Sequence, residues 1–180
     1  MPSKILFSTV HGSHLYGLAT PESDRDLYTV IADVPWWTFR EHYCSQEVAD
    51  GLDSTVIDLS TWLHYCEVGV PQACEAMFSR QANVDLLKGL RGSFRLTSQA
   101  WDRYLRTMKS FALYEGHDRF ALKRRRHALR LAFNLRDIRE KGWFNPTLDR
   151  TTAHNITQAA FGATNDPETI HAAALKIAGF

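Results

Sequence analysis

Asp24 and Asp26 are two aspartates separated by a single residue, and this spacing could let both carboxylates take part in one catalytic or metal-binding site. In an extended segment, side chains two residues apart point to the same side, so both carboxylates can be aimed at one point. Two such negative charges repel each other unless a cation lies between them. Magnesium prefers oxygen ligands and keeps water or phosphate in its remaining positions, so this pair could hold Mg²⁺. An Asp-x-Asp pair alone is also typical of a solvated turn.

A phosphate-binding turn is predicted shortly before this pair, at Gly12 and Ser13, where a short apolar run ends. Glycine lets the backbone approach a bulky anion, and the Ser13 hydroxyl and the amides of the turn can donate to phosphate oxygens. A Gly-Ser pair by itself is also typical of an ordinary turn. The inference therefore depends on the combination with the aspartates.

A third carboxylate, Asp58, follows the apolar residues Val56 and Ile57. An unpaired charge among such neighbours is unfavourable, so we expect Asp58 to need a counter-ion and to complete the metal site. The alternative interpretation is that Asp58 is the N-cap of a helix that begins near Ser60.

A basic face is predicted on a helix in the second half of the chain. Steps of four, three and four place four residues on one side of it: Lys123, His127, Arg130 and Asn134. The run from Arg124 to Arg126 adds charge around this face. Two interpretations stay open, a solvated basic face and a surface that contacts triphosphate or the nucleic-acid backbone. His127 could equally pack between helices, and Glu75 could neutralise an arginine of this face.

Charge is distributed unevenly along the chain, although the formal net charge is only +1. Residues 1–80 contain 4 Lys+Arg and 11 Asp+Glu, a net charge of −7, whereas residues 81–180 contain 17 and 9, a net charge of +8. The two halves could simply present surfaces that attract each other. The other interpretation is a cation site in the first half that faces a phosphate site in the second.

Apolar patterning predicts three strands in the first part of the chain, at residues 5–10, 27–32 and 54–58. The turn signal Asp50-Gly51 precedes the third strand. Between the second and third strands, the aromatic segment Trp36–Phe39 is expected to pack on the sheet. Beyond Ser60 the pattern changes to a helical period, with predicted helices after Ser60, from Pro71, and at residues 97–114, 117–141 and 166–177.

This layout predicts an α/β (α+β) protein with a small mixed sheet in residues 1–80, the expected catalytic core, and a helical region in residues 81–180 that is expected to bind substrate. A chain of 180 residues with 44% hydrophobic and 23% charged residues is typical of one globular domain or of one domain with an appendage. No stretch approaches the roughly 18 apolar residues of a membrane span, and the apolar run after Lys4 is too short for a signal peptide. We therefore expect a cytoplasmic protein without a membrane partner.

The run Gly-Ser-His-Leu-Tyr-Gly at residues 12–17, followed by Thr-Pro-Glu-Ser-Asp-Arg-Asp at residues 20–26, resembles a known family. It is similar to the polymerase β-type nucleotidyltransferase superfamily, specifically to predicted nucleotidyltransferases associated with RNA repair. Further blocks extend the resemblance over about residues 5 to 145: Asp58, Gly69-Val70-Pro71, Glu75, Met77-Phe78, and Lys123, His127 and Arg130. The chain departs from the pattern at Val70, where Asn is usual, and at Tyr28-Thr29, where a basic residue and Gly are usual.

The resemblance implies an enzyme that transfers a nucleoside monophosphate from a nucleoside triphosphate to a hydroxyl acceptor, with RNA or another nucleic acid favoured. Asp24, Asp26 and Asp58 would be the catalytic ligands of two Mg²⁺ ions, with Mn²⁺ as the alternative metal, and Asp58 would help to remove the hydroxyl proton. Five residues would bind the nucleotide: Gly12, Ser13, Lys123, His127 and Arg130.

Two other functions would use the same residues. A catalytically inactive module could bind nucleotide or RNA, and its nucleotide affinity would be indifferent to magnesium. An enzyme that nucleotidylates a partner protein would differ only in its acceptor. The non-functional alternative is an α/β protein with an acidic edge.

Overall fold

The computed structural model describes residues 3–34, 42–49, 51–116, 118–162 and 165–180. Within these ranges the chain forms four strands and eight helices. The strands are β1 (Ile5–His11), β2 (Arg25–Ile31), β3 (Cys44–Ala49) and β4 (Leu52–Asp58). The helices are α1 (Gly12–Tyr16), α2 (Leu59–Glu67), α3 (Pro71–Phe78), α4 (Asp85–Ser93), α5 (Ser98–Ala112), α6 (Arg119–Lys141), α7 (Arg150–Phe161) and α8 (Pro167–Ala178).

The strands form one sheet in the order β1-β2-β4-β3. β1 pairs with β2 and β3 pairs with β4 in antiparallel fashion, whereas the two central strands, β2 and β4, run parallel. A mixed sheet followed by helices confirms the predicted α/β class.

The three predicted strands correspond to β1, β2 and β4, but β3 was not predicted. Most side chains of β3 are exposed, as expected for an edge strand, so it lacks the apolar run that marks the other three. The helices α4 and α7 were also not predicted. The predicted aromatic segment 36–39, the turn residue Asp50 and the helix start at His117 lie outside the described residues.

The core of the sheet region forms where α2 and α3 cover the sheet. Trp62 of α2 is fully buried and packs edge-on against Phe7 of β1, with 5.1 Å between the ring centroids. Its indole N–H donates to the carbonyl oxygen of Ala73 in α3 at 3.2 Å. One aromatic side chain therefore joins two helices to the sheet and also satisfies its own polar atom.

The chain divides into two compact units, Met1–Phe94 and Arg95–Phe180. The first contains the sheet and α1 to α4. In the second, α6 is the central helix and contacts α5, α7 and α8. Helix α4 belongs to the first unit, so that unit extends past residue 80, and the functional division predicted at residues 80 and 81 stays a prediction.

None of the helices in the described ranges combines the length and the apolar character needed to cross a membrane.

Candidate functional site

Asp26 is the second residue of β2, and Asp24 lies just before the strand begins. A turn precedes the pair, in which the amide of Ser23 donates to the carbonyl of Thr20 at 3.0 Å. Asp24 is exposed and Asp26 is half-buried. The two aspartates therefore lie at the amino-terminal end of β2, at one end of the sheet.

The strand register brings a different third carboxylate to this end of the sheet. Asp26 is the direct partner of Asp53 in β4 and of His11 in β1. Paired residues on neighbouring strands lie about 4.8 Å apart and project to the same face. Asp53 therefore lies beside Asp26, and two like charges placed directly opposite each other are unfavourable without a cation.

Asp58 lies at the opposite end of the β2–β4 pair. Its partner is Ile31, and it follows Asp53 by five residues, a distance of roughly 16 Å along an extended strand. The prediction that Asp58 converges with Asp24 and Asp26 is therefore wrong. The reason is the parallel pairing of β2 with β4, because Asp26 is near the start of its strand and Asp58 is the last residue of its own.

The alternative interpretation of Asp58, a helix N-cap, is confirmed. Its buried carboxylate accepts hydrogen bonds from the backbone amides of Ser60 at 3.0 Å and Thr61 at 3.1 Å, at the start of α2. The amide of Tyr43 also donates to it at 2.8 Å. Burial alone would raise the pKa of Asp58, but a hydrogen bond from the Ser60 hydroxyl at 2.5 Å, together with those from the Tyr43 and Thr61 amides, outweighs burial and lowers the pKa to about 2.

Gly12 lies at the turn between β1 and α1, with a φ of 61°, in the left-handed region that favours glycine. A Cβ atom added at Gly12 would lie 1.5 Å from Oδ2 of Asp26. The Asp26 carboxylate therefore occupies the space that any side chain at position 12 would need. Ser13, which follows, is buried.

A buried polar network adjoins the turn and includes residues that the sequence analysis did not assign to the site. The hydroxyl of Tyr16 donates to Oε2 of Glu75 at 2.6 Å and lies 3.2 Å from Nε2 of His11. Nε2 of His11 is 3.6 Å from the same Glu75 oxygen. Since His11 is the strand partner of Asp26, this network joins α1 and α3 directly beside the acidic pair. The only sequence signal for Tyr16 was its place in the glycine-flanked run at residues 12–17.

The donor chemistry of the acidic end of the sheet fits magnesium, because Asp24, Asp26 and Asp53 offer only carboxylate oxygens. The side chains are not gathered around a common point, however. The amide nitrogen of Gln46 in β3 donates to both oxygens of Asp53, at 3.0 and 2.9 Å. Among the residues that the structure describes, no three His, Cys, Asp or Glu side chains form a group that could hold a metal ion. The strand register places Asp26 and Asp53 side by side, as a metal site would require, and in this structure the Asp53 carboxylate is bound by Gln46.

The four residues of the predicted basic face of α6 differ in how far they are buried. Lys123 is exposed and His127 is half-buried, whereas Arg130 and Asn134 are buried. Arg125 and Arg126 are buried too, so a solvated basic face does not describe most of this helix. Burial lowers the pKa of Arg126, and the positive charge of Arg119 lowers it further.

Comparison with known proteins identifies one family. The RlaP family model, described as RNA repair pathway DNA polymerase beta family, matches residues 1–164. No curated protein matches the chain. The matched range includes Asp24, Asp26, Asp53 and Asp58, the turn at Gly12 and the whole of α6.

Proposed function

The chain belongs to the RNA repair pathway DNA polymerase beta family, and from this premise we propose that it is a magnesium-dependent nucleotidyltransferase. It transfers a nucleoside monophosphate from a nucleoside triphosphate to a hydroxyl group of RNA and releases pyrophosphate. The observation that carries the proposal is the pairing of Asp26 with Asp53 across β2 and β4, next to Asp24. Three carboxylates at one end of a sheet, in a family named for a polymerase, favour nucleotidyl transfer over a purely structural acidic edge.

In this proposal Asp24, Asp26 and Asp53 are the metal ligands, and Asp53 replaces Asp58 in the predicted set. Bound Mg²⁺, or Mn²⁺ in its place, would lower the pKa of the acceptor hydroxyl and neutralise charge on the triphosphate. A carboxylate oxygen of Asp53 accepts the hydroxyl proton, the role that the sequence analysis gave to Asp58.

The same proposal gives the turn at Gly12 and Ser13 the role of holding phosphate oxygens. The contact between Gly12 and the Asp26 carboxylate supports it, because a phosphate at this turn would lie next to a metal ligand. We also propose that Lys123, His127 and Arg130 of α6, in the second unit, contact phosphate groups of the RNA. Lys123, as an exposed ammonium, is the most accessible of the three.

Label transfer from an α-labelled nucleoside triphosphate to RNA, measured with and without Mg²⁺, tests this proposal. Transfer should require Mg²⁺ and be abolished by Asp24→Asn combined with Asp26→Asn. Asp53→Asn should lower the rate by about 100-fold or more, because it removes a charge that acts on the reacting groups.

Asp58→Asn is the matched control, since it makes the same chemical change on the same strand and an Asn can still cap α2. It should keep most of the transfer activity. The proposed site would be refuted if Asp53→Asn stayed active, or if a folded Asp58→Asn lost as much activity as Asp53→Asn. Thermal unfolding of each variant separates lost chemistry from lost fold.

A binding module without catalysis is the second candidate, and the hydrogen bonds from Gln46 to Asp53 favour it. In such a module the Asp53 carboxylate would stay paired with Gln46. Calorimetry with nucleoside triphosphate separates the two functions, because the transferase should bind nucleotide more tightly with Mg²⁺ and the module should not. Parallel transfer assays with RNA, DNA and protein acceptors then distinguish RNA modification from protein nucleotidylation.

A further inference from the structure

The corner between α5 and α6, in the second unit, holds an arginine against several aromatic rings. The guanidinium of Arg124 lies 4.2 Å from the ring centroid of Tyr114 and 4.5 Å from that of Phe120, with Phe111 at 5.7 Å. The Tyr114 and Phe120 rings contact each other edge-on at 6.0 Å. An arginine stacked on rings keeps its charge while its position is fixed by several contacts.

Buried interactions also hold this corner from the inside. Nη2 of Arg125, a fully buried side chain, donates to the carbonyl oxygen of Gly116 at 2.6 Å and to that of Tyr114 at 3.4 Å. Asp118 caps α6 by accepting the amide of Ala121 at 2.8 Å. The rings around Arg124 are therefore preorganised by the loop and the first turn of α6, and a ligand would not have to order them.

The outer side of the corner is open and mainly positive. The Phe120 side chain is 52% exposed, and Arg119 and Lys123 on either side of it in the sequence of α6 are exposed cations. Two acids are close in sequence, Glu115 and Asp118, and Asp118 is engaged as the helix cap. The whole unit contains 15 Lys+Arg and 8 Asp+Glu, a net charge of +7, so its field attracts a polyanion.

We propose that this surface, the Arg124 platform of Tyr114, Arg119, Phe120, Lys123 and Arg124, binds single-stranded RNA. An exposed ring offers a face on which an unpaired base can stack, and the flanking cations can contact the phosphates on either side. The bases of a duplex are stacked on one another, so the ring has no base face to contact there. The choice of RNA rests on the proposed function, in which the platform would hold the strand that carries the acceptor hydroxyl.

Fluorescence anisotropy with a labelled single-stranded RNA, carried out on the full chain without nucleotide and at several salt concentrations, tests the platform. Phe120→Leu keeps an apolar side chain but removes the ring, and it should weaken binding about 10-fold. Phe120→Trp keeps an aromatic ring and should bind RNA about as tightly as the unchanged chain. Lys123→Gln should weaken binding and reduce the slope of log affinity against log salt by about 0.7, the contribution of one phosphate contact to a single strand.

Two matched variants test whether the effect is local. Phe161→Leu removes a ring that is 44% exposed on α7, and Arg136→Gln removes an arginine stacked 4.8 Å from Phe133 on α6. Both should leave RNA affinity within about 2-fold of the unchanged chain. The platform is refuted if Phe120→Leu binds as tightly as the unchanged chain, if either control loses as much affinity, or if duplex RNA binds at least as tightly as the single strand.

Different results would refute the proposed transferase activity and the proposed RNA-binding platform. RNA binding that depends on Phe120, in a chain that transfers no label to any acceptor, would refute the transferase and leave the platform. Active transfer to RNA with binding indifferent to Phe120 would refute the platform alone. The Asp24→Asn and Asp26→Asn double variant should bind RNA normally, since it leaves the platform intact.

Discussion

The contact between Gly12 and Asp26 shows how one missing side chain shapes the candidate site. The Asp26 carboxylate lies where a Cβ of residue 12 would be, so the acid can lie directly against the turn that is proposed to hold phosphate. Any substitution at position 12 must therefore move the carboxylate, the turn or both. The effect should appear in ligand binding more than in stability.

Gly12→Ala tests this at the scale of a single residue. It should abolish the Mg²⁺-dependent gain in nucleotide affinity, measured by calorimetry, and should also destabilise the fold by about 1 kcal/mol because of its positive φ. Gly51→Ala is the matched control. Gly51 has a φ of 76° but no atom within 4 Å of an added Cβ, so this change brings the same backbone strain without the clash.

If Gly51→Ala were as damaging to nucleotide binding as Gly12→Ala, backbone strain alone would explain both variants. The contact with Asp26 would then have no role in binding.

The candidate site was only partly predictable from the sequence. The pair Asp24 and Asp26 could be found because the two-residue period of extended chain is a local property. Asp53 was missed because the apolar pattern predicts the third strand only from residue 54, whereas β4 begins at Leu52. The residue that stands opposite Asp26 depends on how two distant strands align, and one sequence does not encode that alignment in any local pattern.

At the scale of the secondary-structure elements, Asp58 connects the end of β4 to the start of α2 through hydrogen bonds. Its carboxylate satisfies the amides of Ser60 and Thr61 and also binds the amide of Tyr43 just before β3. This single group therefore stabilises a helix start and the approach of the edge strand. Its contribution should depend on its charge.

Asp58→Ala should lower the free energy of unfolding by about 1 to 2 kcal/mol at neutral pH, since it removes the cap and leaves buried amides without an acceptor. The folded-state pKa of about 2 is below the ordinary value of 3.8. The contribution of ionised Asp58 is therefore present above about pH 4 and is lost as pH falls toward about 2. Urea unfolding of the unchanged protein and of Asp58→Ala over this range should show that the difference between their free energies of unfolding shrinks as the pH falls.

Thr97→Ala serves as the control for the pH effect. Thr97 caps α5 by accepting the amide of Ala100 at 3.0 Å, but it does not titrate. Its loss should destabilise the protein by a similar amount at every pH. A pH-independent effect of Asp58→Ala would contradict the charge-based account of this cap.

The elements that the sequence predicted share strong apolar patterns, and the missed ones lack them. β1, β2 and β4 bury apolar side chains, and α5 and α6 have caps and apolar stripes. β3 is exposed along most of its length, and two of the three residues that α7 buries are alanines, Ala153 and Ala160. β3 is held by its pairing with β4 and α7 by its packing on α6, so local propensity alone does not identify either element.

At the scale of the whole molecule, the second unit contains a core of its own. Tyr104 and Met108 of α5 and Leu131 and Leu135 of α6 are fully buried, and Tyr104 packs edge-on against Phe144 at 6.3 Å. A region with its own core and its own capped helices can fold alone. The proposed metal ligands all lie in the other unit.

Residues 95–180 expressed alone should therefore be helical and should unfold cooperatively, as measured by far-ultraviolet circular dichroism during heating. A fragment of residues 117–180 is the matched control, because it lacks α5 and with it Tyr104 and Met108. It should unfold over a broad range without a clear transition. Equal cooperativity in the two fragments would show that α5 is not part of the core.

The parallel pairing of β2 with β4 also affects the order of events in folding. Residues 32–51 separate the two strands in the sequence and include the edge strand β3, so the entropy cost of closing this connection precedes the gain from strand pairing. Asp26 and Asp53 become neighbours only at that step. A chain that has formed helices and the β1–β2 pair alone should be unable to bind Mg²⁺ with nucleotide. The time at which a refolding chain regains affinity for Mg²⁺ with nucleotide should therefore show when the sheet is complete.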